Sequence, residues 1–546
     1  MSADAGVLRS SSVMAVGTIA SRVTGMLRNI VLVAAIGGQV FADTYTVANN
    51  LPNILYILLV GGALNAVFIP QLVRHMASDS DGGGAYADRL ITLSGLVLLA
   101  VSALTVALAP FIVRLYSTNS WSSTDLGVST AFARYCLPQI FFYGVYTLYS
   151  QVLNARGHFA MPMFTPILNN LVVIVVCGIF IAVVGPDPTT ATITPAETAL
   201  LGLGTTAGIV VQALALIPVM ARYGYHYRPR FDLRGQGLGK AVTLAKWTIV
   251  LVAINQLAFV VVARLATGAN AAAEAAGSTS GAGITVYTTA YLIFILPHSV
   301  VTVSVVTALL PRMSRAAAAN DLRGVRDDVS RGIRLVSTAM VPSAIALVLL
   351  GPSIGLLLFS FGASGGGTGR YIGVVTAAFA LGLVPFSIYY VLLRGFYAVE
   401  DTRTPALVAL FLNSVNLAAA YALYLALPPE QQVVGLALGY SAAYLATMVL
   451  LWQILRRRLG GLNTYLTVRT LVRLTVAGIP AGLAGWATLH LLQRVLPGGR
   501  LGALLLILGV SAVGGVVFVV VARRLRVAEV SELVDVVAAR AGRSRS

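Results

Sequence analysis

Apolar residues along this chain gather into fourteen runs, at 13–36, 45–72, 89–115, 129–153, 162–184, 198–221, 241–266, 284–311, 333–358, 372–397, 404–426, 433–455, 470–492 and 501–522. A helix needs about 20 such residues to cross the hydrocarbon core of a bilayer. The pattern therefore predicts an all-α, polytopic membrane protein with 14 transmembrane helices. The second and eighth runs are long and carry internal prolines, Pro52 and Pro297. Proline removes a backbone donor and kinks a helix. Each kink either breaks a helix that lines a cavity or only improves packing. Between runs eight and nine, Ala316–Gly332 reads as a separate short amphipathic helix.

Composition agrees with the pattern. The chain is 58% hydrophobic and 10% charged, with a mean hydropathy of +0.86, which excludes a soluble globule. The 53 glycines suit close helix packing in lipid. A net charge of +18 would suggest nucleic acid in a soluble protein, but the positions of the charges decide otherwise. Alternate loops hold nearly all the arginines, from Arg9 through Arg89, Arg156, Arg228, Arg323, Arg403 and Arg457 to Arg524. The intervening loops hold Arg114, Arg370, Arg494 and Arg500 together with acids such as Asp125, Glu197 and Glu430. Positive charge marks the cytoplasmic side. Both termini are therefore expected in the cytoplasm, and the basic loops serve topology and contact anionic membrane lipids; no nucleic-acid partner is expected. Met1–Ser12 is polar and short, and the first run already holds two arginines, so no cleavable signal peptide is expected.

The chain repeats itself. Leu51-Pro52 recurs as Leu296-Pro297, and Ile69–Arg74 recurs as Leu310–Arg315. Ala155, Pro162 and Asn170 recur 243 residues later as Ala398, Pro405 and Asn413. Six helices per repeat is an even number, so the two copies share one orientation: a parallel pseudo-two-fold repeat. The expected organisation is a cytoplasmic N-terminus (1–12), an N-lobe of helices 1–6 (13–222), a linker (223–240), a C-lobe of helices 7–12 (241–456), two extra helices (457–523) and a cytoplasmic tail (524–546).

Polar groups within the first two runs are the candidate chemistry. Arg22 and Arg28 lie in the first, Asp43 at the turn that follows, and Asn49, Asn50, Asn53 and Asn65 in the second. A charge at bilayer depth costs at least about 2.5–3.5 kcal/mol on insertion scales. It is retained where it faces water or a partner. Arg22, Gly25 and Asn29 share one helical face, with Arg28 about 100° to one side. One reading is a cationic cavity wall for an anionic cargo; the other has Arg22 snorkelling to the interface. His298 is either a packed, hydrogen-bonded residue or a cavity residue able to change charge near neutral pH. Enzyme chemistry finds no set. The five histidines are scattered, Asp327-Asp328 lies among arginines, no metal-ligand spacing or phosphate-binding glycine loop occurs, and Cys136 and Cys177 lie in separate apolar runs. No cofactor is expected, and a transporter driven by a gradient is the default.

Five segments, SRVTGMLRN, ADTYTVANNLPN, GGALNAVFIPQL, VTALLPRMSR and RGFYAVEDTRTP, resemble in order and spacing the MurJ/MviN family of lipid-linked peptidoglycan precursor flippases, over about residues 10–525. The resemblance implies two six-helix lobes, with helices 13 and 14 forming a groove for a prenyl tail. The implied cargo is lipid II, the undecaprenyl-pyrophosphate-linked disaccharide pentapeptide, moved to the outer leaflet of the bacterial plasma membrane by alternating access. Partners among cell-wall synthesis and division proteins are also implied. Carried over by motif, Arg22 and Arg28 line the cavity and contact the pyrophosphate, and Asp43 sits at the external side; Asn29, Asn49 and Asn53 are further candidate substrate-binding residues.

This chain departs from the family where relatives often have charge. Asn29 stands for an acid, Tyr56, Ile57 and Gly61 for a basic pair and an acid, and Ala290-Tyr291 for an Asp-Arg pair. Arg264 is a candidate substitute cavity cation or an interfacial anchor. Some relatives use helices 7, 11 and 12 for sodium, and the corresponding runs here hold no Asp or Glu. The rival readings are a flippase for another polyprenyl-linked saccharide, a cation-coupled drug exporter of the same superfamily, a membrane transferase and a non-transporting scaffold.

Overall fold

A computed structural model describes residues 2–58, 83–185, 188–232, 238–278 and 281–532. Every regular element among them is helical. In chain order these are α1 (Ser2–Ile36), α2 (Val40–Tyr56), α3 (Gly84–Ala107), α4 (Ala109–Tyr116), α5 (Ser123–Cys136), α6 (Gln139–Ala155), α7 (Ala160–Val184), α8 (Pro195–Leu214), α9 (Leu216–Arg222) and α10 (Leu238–Ala275). There follow α11 (Ile284–Pro297), α12 (Val303–Ala318), α13 (Leu322–Phe359), α14 (Gly365–Ala380), α15 (Leu383–Ala398), α16 (Arg403–Ala426), α17 (Gln432–Arg458), α18 (Thr464–Val495) and α19 (Arg500–Arg524).

Among the described residues, eleven stretches are long and apolar enough to cross a membrane, or twelve when the pair around α14 and α15, bent by 51°, counts as one span. The other two expected spans are compatible with this. Run 129–153 is built from α5 and α6 placed end to end, and run 45–72 is described only as far as residue 58. Asn65, Gly61 and the Ile69–Arg74 repeat segment lie outside the described residues.

Proline acts locally as its chemistry dictates. After Pro297 the chain makes a π-helical turn, His298–Thr302, and then resumes as α12. Pro52 lies inside α2, and residues 57–58 are also π-helical. A missing N–H breaks the regular ladder, and a wider turn absorbs the mismatch.

The expectation for Ala316–Gly332 needs correction, because this segment is not a separate helix. Asn320 turns the chain in the left-handed region (φ 56°), and the Asp321 carboxylate caps the next helix by accepting from Gly324 N (2.9 Å). From there α13 runs unbroken for 38 residues. Gly332 does not end it, because its missing side chain makes room for Leu309 and Val391 (3.0 and 3.1 Å from an added Cβ).

The chain packs as two units. The first comprises Met1–Glu274, Gly283–Thr285 and Phe361–Ser364; the second comprises Ala275–Ala282, Val286–Ser360 and Gly365–Ser546. Within the first, α5, α6 and α7 each pack on α8, and α1 packs along α7. Within the second, α14, α15 and α16 each pack on α17. This is the same arrangement, so the repeat read in the sequence recurs in the packing inside each unit. Both copies also interrupt their fourth helix, at Leu137-Pro138 and at Leu381-Gly382. The remaining helices, α18 and α19, pair with each other and lie on α13.

Candidate substrate-binding site

In the first unit, α1 approaches α7 closely because Gly17 leaves only 3.1 Å between an added Cβ and the Phe164 ring. Asn170 of α7 fixes the register by donating to Thr24 Oγ1 (3.0 Å) and Ser21 O (3.3 Å). This packing sets the α1 face. Arg22 is exposed, Arg28 is half-buried and Asn29 is buried. The Arg28 Nε and Asn29 Nδ2 are shut off from solvent without a hydrogen-bond partner. No described carboxylate pairs with Arg28. Its charge instead lies within electrostatic reach of Tyr45, Tyr143 and Cys177, and Tyr143 packs against Tyr56 with ring centroids 6.0 Å apart. A half-buried cation with no described counter-ion, among phenols and an amide, is suited to receive an anion. In α2, Asn49 is half-buried and Asn53 exposed.

Asp43 belongs to the first turn of α2 rather than to the preceding turn, and it is fully buried. Its Oδ1 accepts from Thr285 N (2.9 Å) and Thr285 Oγ1 (2.8 Å), and its Oδ2 accepts from Asn270 Nδ2 (2.7 Å). Asn270 also donates to Gly38 O (3.2 Å), and Thr285 Oγ1 reaches Thr46 Oγ1 (2.8 Å). A carboxylate against the first N–H groups of α11 meets the positive end of that helix. Gly283 is required there, since any side chain would overlap the Asp43 carboxylate. One acid thus ties the end of α10 and the start of α11 to α2.

Sequence reasoning missed Asn270, Thr285 and Glu274. It ended the seventh run at 266, whereas α10 continues to Ala275. The acid-free reading of that helix is therefore corrected: Glu274 lies in its last turn, and its carboxylate accepts from Val40 N (3.4 Å). The signal was the alanine-rich TGANAAAEA, a strong helix former with no apolar periodicity.

The other candidates are not gathered around Arg28. Arg264 donates to Arg114 O (3.2 Å), Leu115 O (3.5 Å) and Asn119 Oδ1 (3.3 Å), where it satisfies carbonyls at the C-terminal end of α4. His298 is buried in the second unit, with Nδ1 2.9 Å from Ser387 Oγ and its ring against Phe386 and Tyr390. Tyr291 is part of an aromatic cluster with Phe294, Phe379 and Tyr440. Cys136 and Cys177 are both free thiols, and no metal-binding group occurs among the described residues.

A second feature of the second unit is an apolar cavity of about 260 Å³ between α13, α18 and α19. Small residues open it, among them Ala346, Ala481, Gly485, Gly514 and Gly515. Phe518, which lines it, also belongs to a packed core with Val341, Leu474, Val527 and Val530.

Helices throughout, with eleven or twelve apolar spans among the described residues, define a multi-pass membrane protein. The fold is shared with a solved multidrug resistance MATE family transporter of the MOP superfamily in an inward-facing conformation (TM-score 0.63, 14% identity, 81% of this chain and 96% of that one). It is shared more fully with a structure of lipid II flippase MurJ in an inward closed conformation (TM-score 0.71, 18% identity, 93% and 97%). The chain belongs to the lipid II flippase MurJ family, whose sequence model matches residues 32–508. Curated relatives include probable lipid II flippases MurJ from Synechocystis sp. (27% identity, 96% of each chain) and from Vibrio cholerae (25% identity, 92% of this chain and 96% of that one).

Proposed function

We propose that this protein flips lipid II, the undecaprenyl-pyrophosphate-linked peptidoglycan precursor, from the cytoplasmic to the outer leaflet of the bacterial plasma membrane. Family membership over most of the chain supports the substrate class. The observation that carries the site is Arg28, a half-buried guanidinium with no described carboxylate beside it. A guanidinium offers a planar fork of donors matched to phosphate oxygens. In this reading Arg28 contacts the pyrophosphate, and Arg22, Asn29, Asn49 and Asn53 line its approach. The cavity between α13, α18 and α19 takes part of the prenyl tail.

The two repeats, lobes 13–222 and 241–456 in the sequence organisation, alternate access by moving against each other. Transport, not bond chemistry, is the activity. A cation-coupled drug exporter is not favoured, since the cargo-facing charge in this reading is basic.

The test is depletion of the protein in its host, with leaflet distribution of the precursor read by an external enzyme that cleaves it. Loss of external accessibility while total precursor accumulates is expected. Complementation with Arg28→Ala, at normal expression, is expected to leave the precursor inside, whereas full recovery would remove the role given to Arg28. Unchanged accessibility on depletion would overturn the lipid II assignment.

A further inference from the structure

Arg394 of α15 is, like Arg28, a half-buried arginine with no described carboxylate partner. Its guanidinium lies 4.4 Å over the Tyr390 ring and 5.5 Å from the Tyr397 ring, and its Nη2 donates to the Tyr390 hydroxyl. Nε is closed off from solvent with no partner, and no described carboxylate pairs with this residue. Asp401, seven residues on in sequence, accepts from Arg458 Nη1 instead, and Arg458 Nη2 reaches Thr404 Oγ1 (3.1 Å). Arg334, another half-covered arginine of the same unit, has Glu529 at 2.7 Å. Ring faces and one phenol are weak substitutes for a counter-ion.

The surroundings extend the pattern. Ser387, Tyr390 and Arg394 are spaced three and four residues apart, on one face of α15. The Tyr390 ring stands edge-on to His298 at 5.0 Å, and His298 begins the π-helical turn that packs on α15. Thr302, at the end of that turn, is fully buried with its hydroxyl unpartnered. Because the Tyr390 oxygen accepts from Nη2, its own proton is free to donate elsewhere. Of the five guanidinium N–H groups, one is used by a described residue.

We propose that Arg394 and the Tyr390 hydroxyl form a phosphate-binding site in the second unit that takes the phosphate group of a lipid. That phosphate is either the pyrophosphate of a prenyl-linked cargo, which rests on the function proposed above, or the headgroup of an anionic phospholipid, which does not.

The test uses the purified full-length protein in detergent, with binding of undecaprenyl pyrophosphate, undecaprenol and phosphatidylglycerol followed by native mass spectrometry. Arg394→Gln is expected to weaken undecaprenyl pyrophosphate roughly tenfold, with undecaprenol unchanged. Arg394→Lys, which keeps the charge and loses the fork, and Tyr390→Phe, which keeps the ring and loses the donor, are expected to weaken it roughly threefold each. These two variants decide the matter if Arg394→Gln does not fold. Selective loss of the pyrophosphate identifies the cargo as source. Equal loss of phosphatidylglycerol identifies a phospholipid site. Wild-type affinity for both phosphate lipids in the folded variants overturns the site. A wild-type protein that binds undecaprenol as well as its pyrophosphate counts against the cargo reading alone, since the phosphatidylglycerol arm still reports on Arg394.

Discussion

Asp43 takes three hydrogen bonds from residues 227 and 242 positions further along the chain. Removing a buried acceptor orphans its donors, at about 1–3 kcal/mol for each one left unpaired. Asp43→Ala is therefore expected to lower the melting temperature of the solubilised protein more than Asp43→Asn does, because asparagine can still accept from Thr285. In Asp43→Asn the new amide meets the Asn270 amide, donor against donor. The sharper experiment is exchange. Asn270→Asp alone sets two carboxylates together and is expected to be the least stable of the set. Combined with Asp43→Asn, it restores a donor–acceptor pair and should recover part of the melting temperature; additive losses in the double variant would show that the contact does not couple the two positions. The sequence made Arg28 visible as a charge in an apolar run and Asp43 as a charge at the turn after it. It could not show their surroundings, because Asn270 and Thr285 carry no charge and lie far away in sequence.

Elements were legible where apolar periodicity marks them and less so where helix propensity alone does. Span nine absorbed the charged Leu322–Gly332 segment because Asp321 caps it and nothing after Leu322 stops it. Span seven outran its apolar stretch through alanines. The cavity between α13, α18 and α19 could not be read from the residues, since glycine spacing does not by itself distinguish a gap from a tight contact. The structure separates the two cases. A Cβ added at Gly485 would press on Leu349 at 3.0 Å, whereas one at Gly515 meets open space. Gly515→Leu is thus expected to fold normally and fill the cavity. If a prenyl tail occupies it, excluding two or three methylene-sized groups costs about 2 kcal/mol at about 0.8 kcal/mol each, or roughly thirtyfold in affinity for undecaprenol. Unchanged undecaprenol binding in a stable Gly515→Leu protein would place the tail elsewhere.

At the scale of the whole molecule, two independent regularities agree. The repeat offset near 243 residues carries the pairing of helices from one unit to the other, and the arginines fall on alternate loops throughout. The second depends on parity. Each crossing reverses the side of every later loop, so one miscounted helix would put most of the arginines outside, against the rule that positive loops stay in the cytoplasm. The point of greatest leverage is the run at 45–72, because its later part lies outside the described residues while all downstream topology hangs on it. Reporter fusions read this directly. With fourteen crossings, green fluorescent protein joined after Gly460 or at Ser546 should fluoresce, and alkaline phosphatase joined after Ala191 or Glu430 should be active. If 45–72 enters the membrane without crossing it, all four signals invert together while the side of Arg9 stays the same. Both termini would then lie on opposite faces, and the two six-helix copies could no longer be parallel, because the first would contain an odd number of crossings. The arginines fall on alternate loops only when every run crosses, so the expected result is the uninverted one.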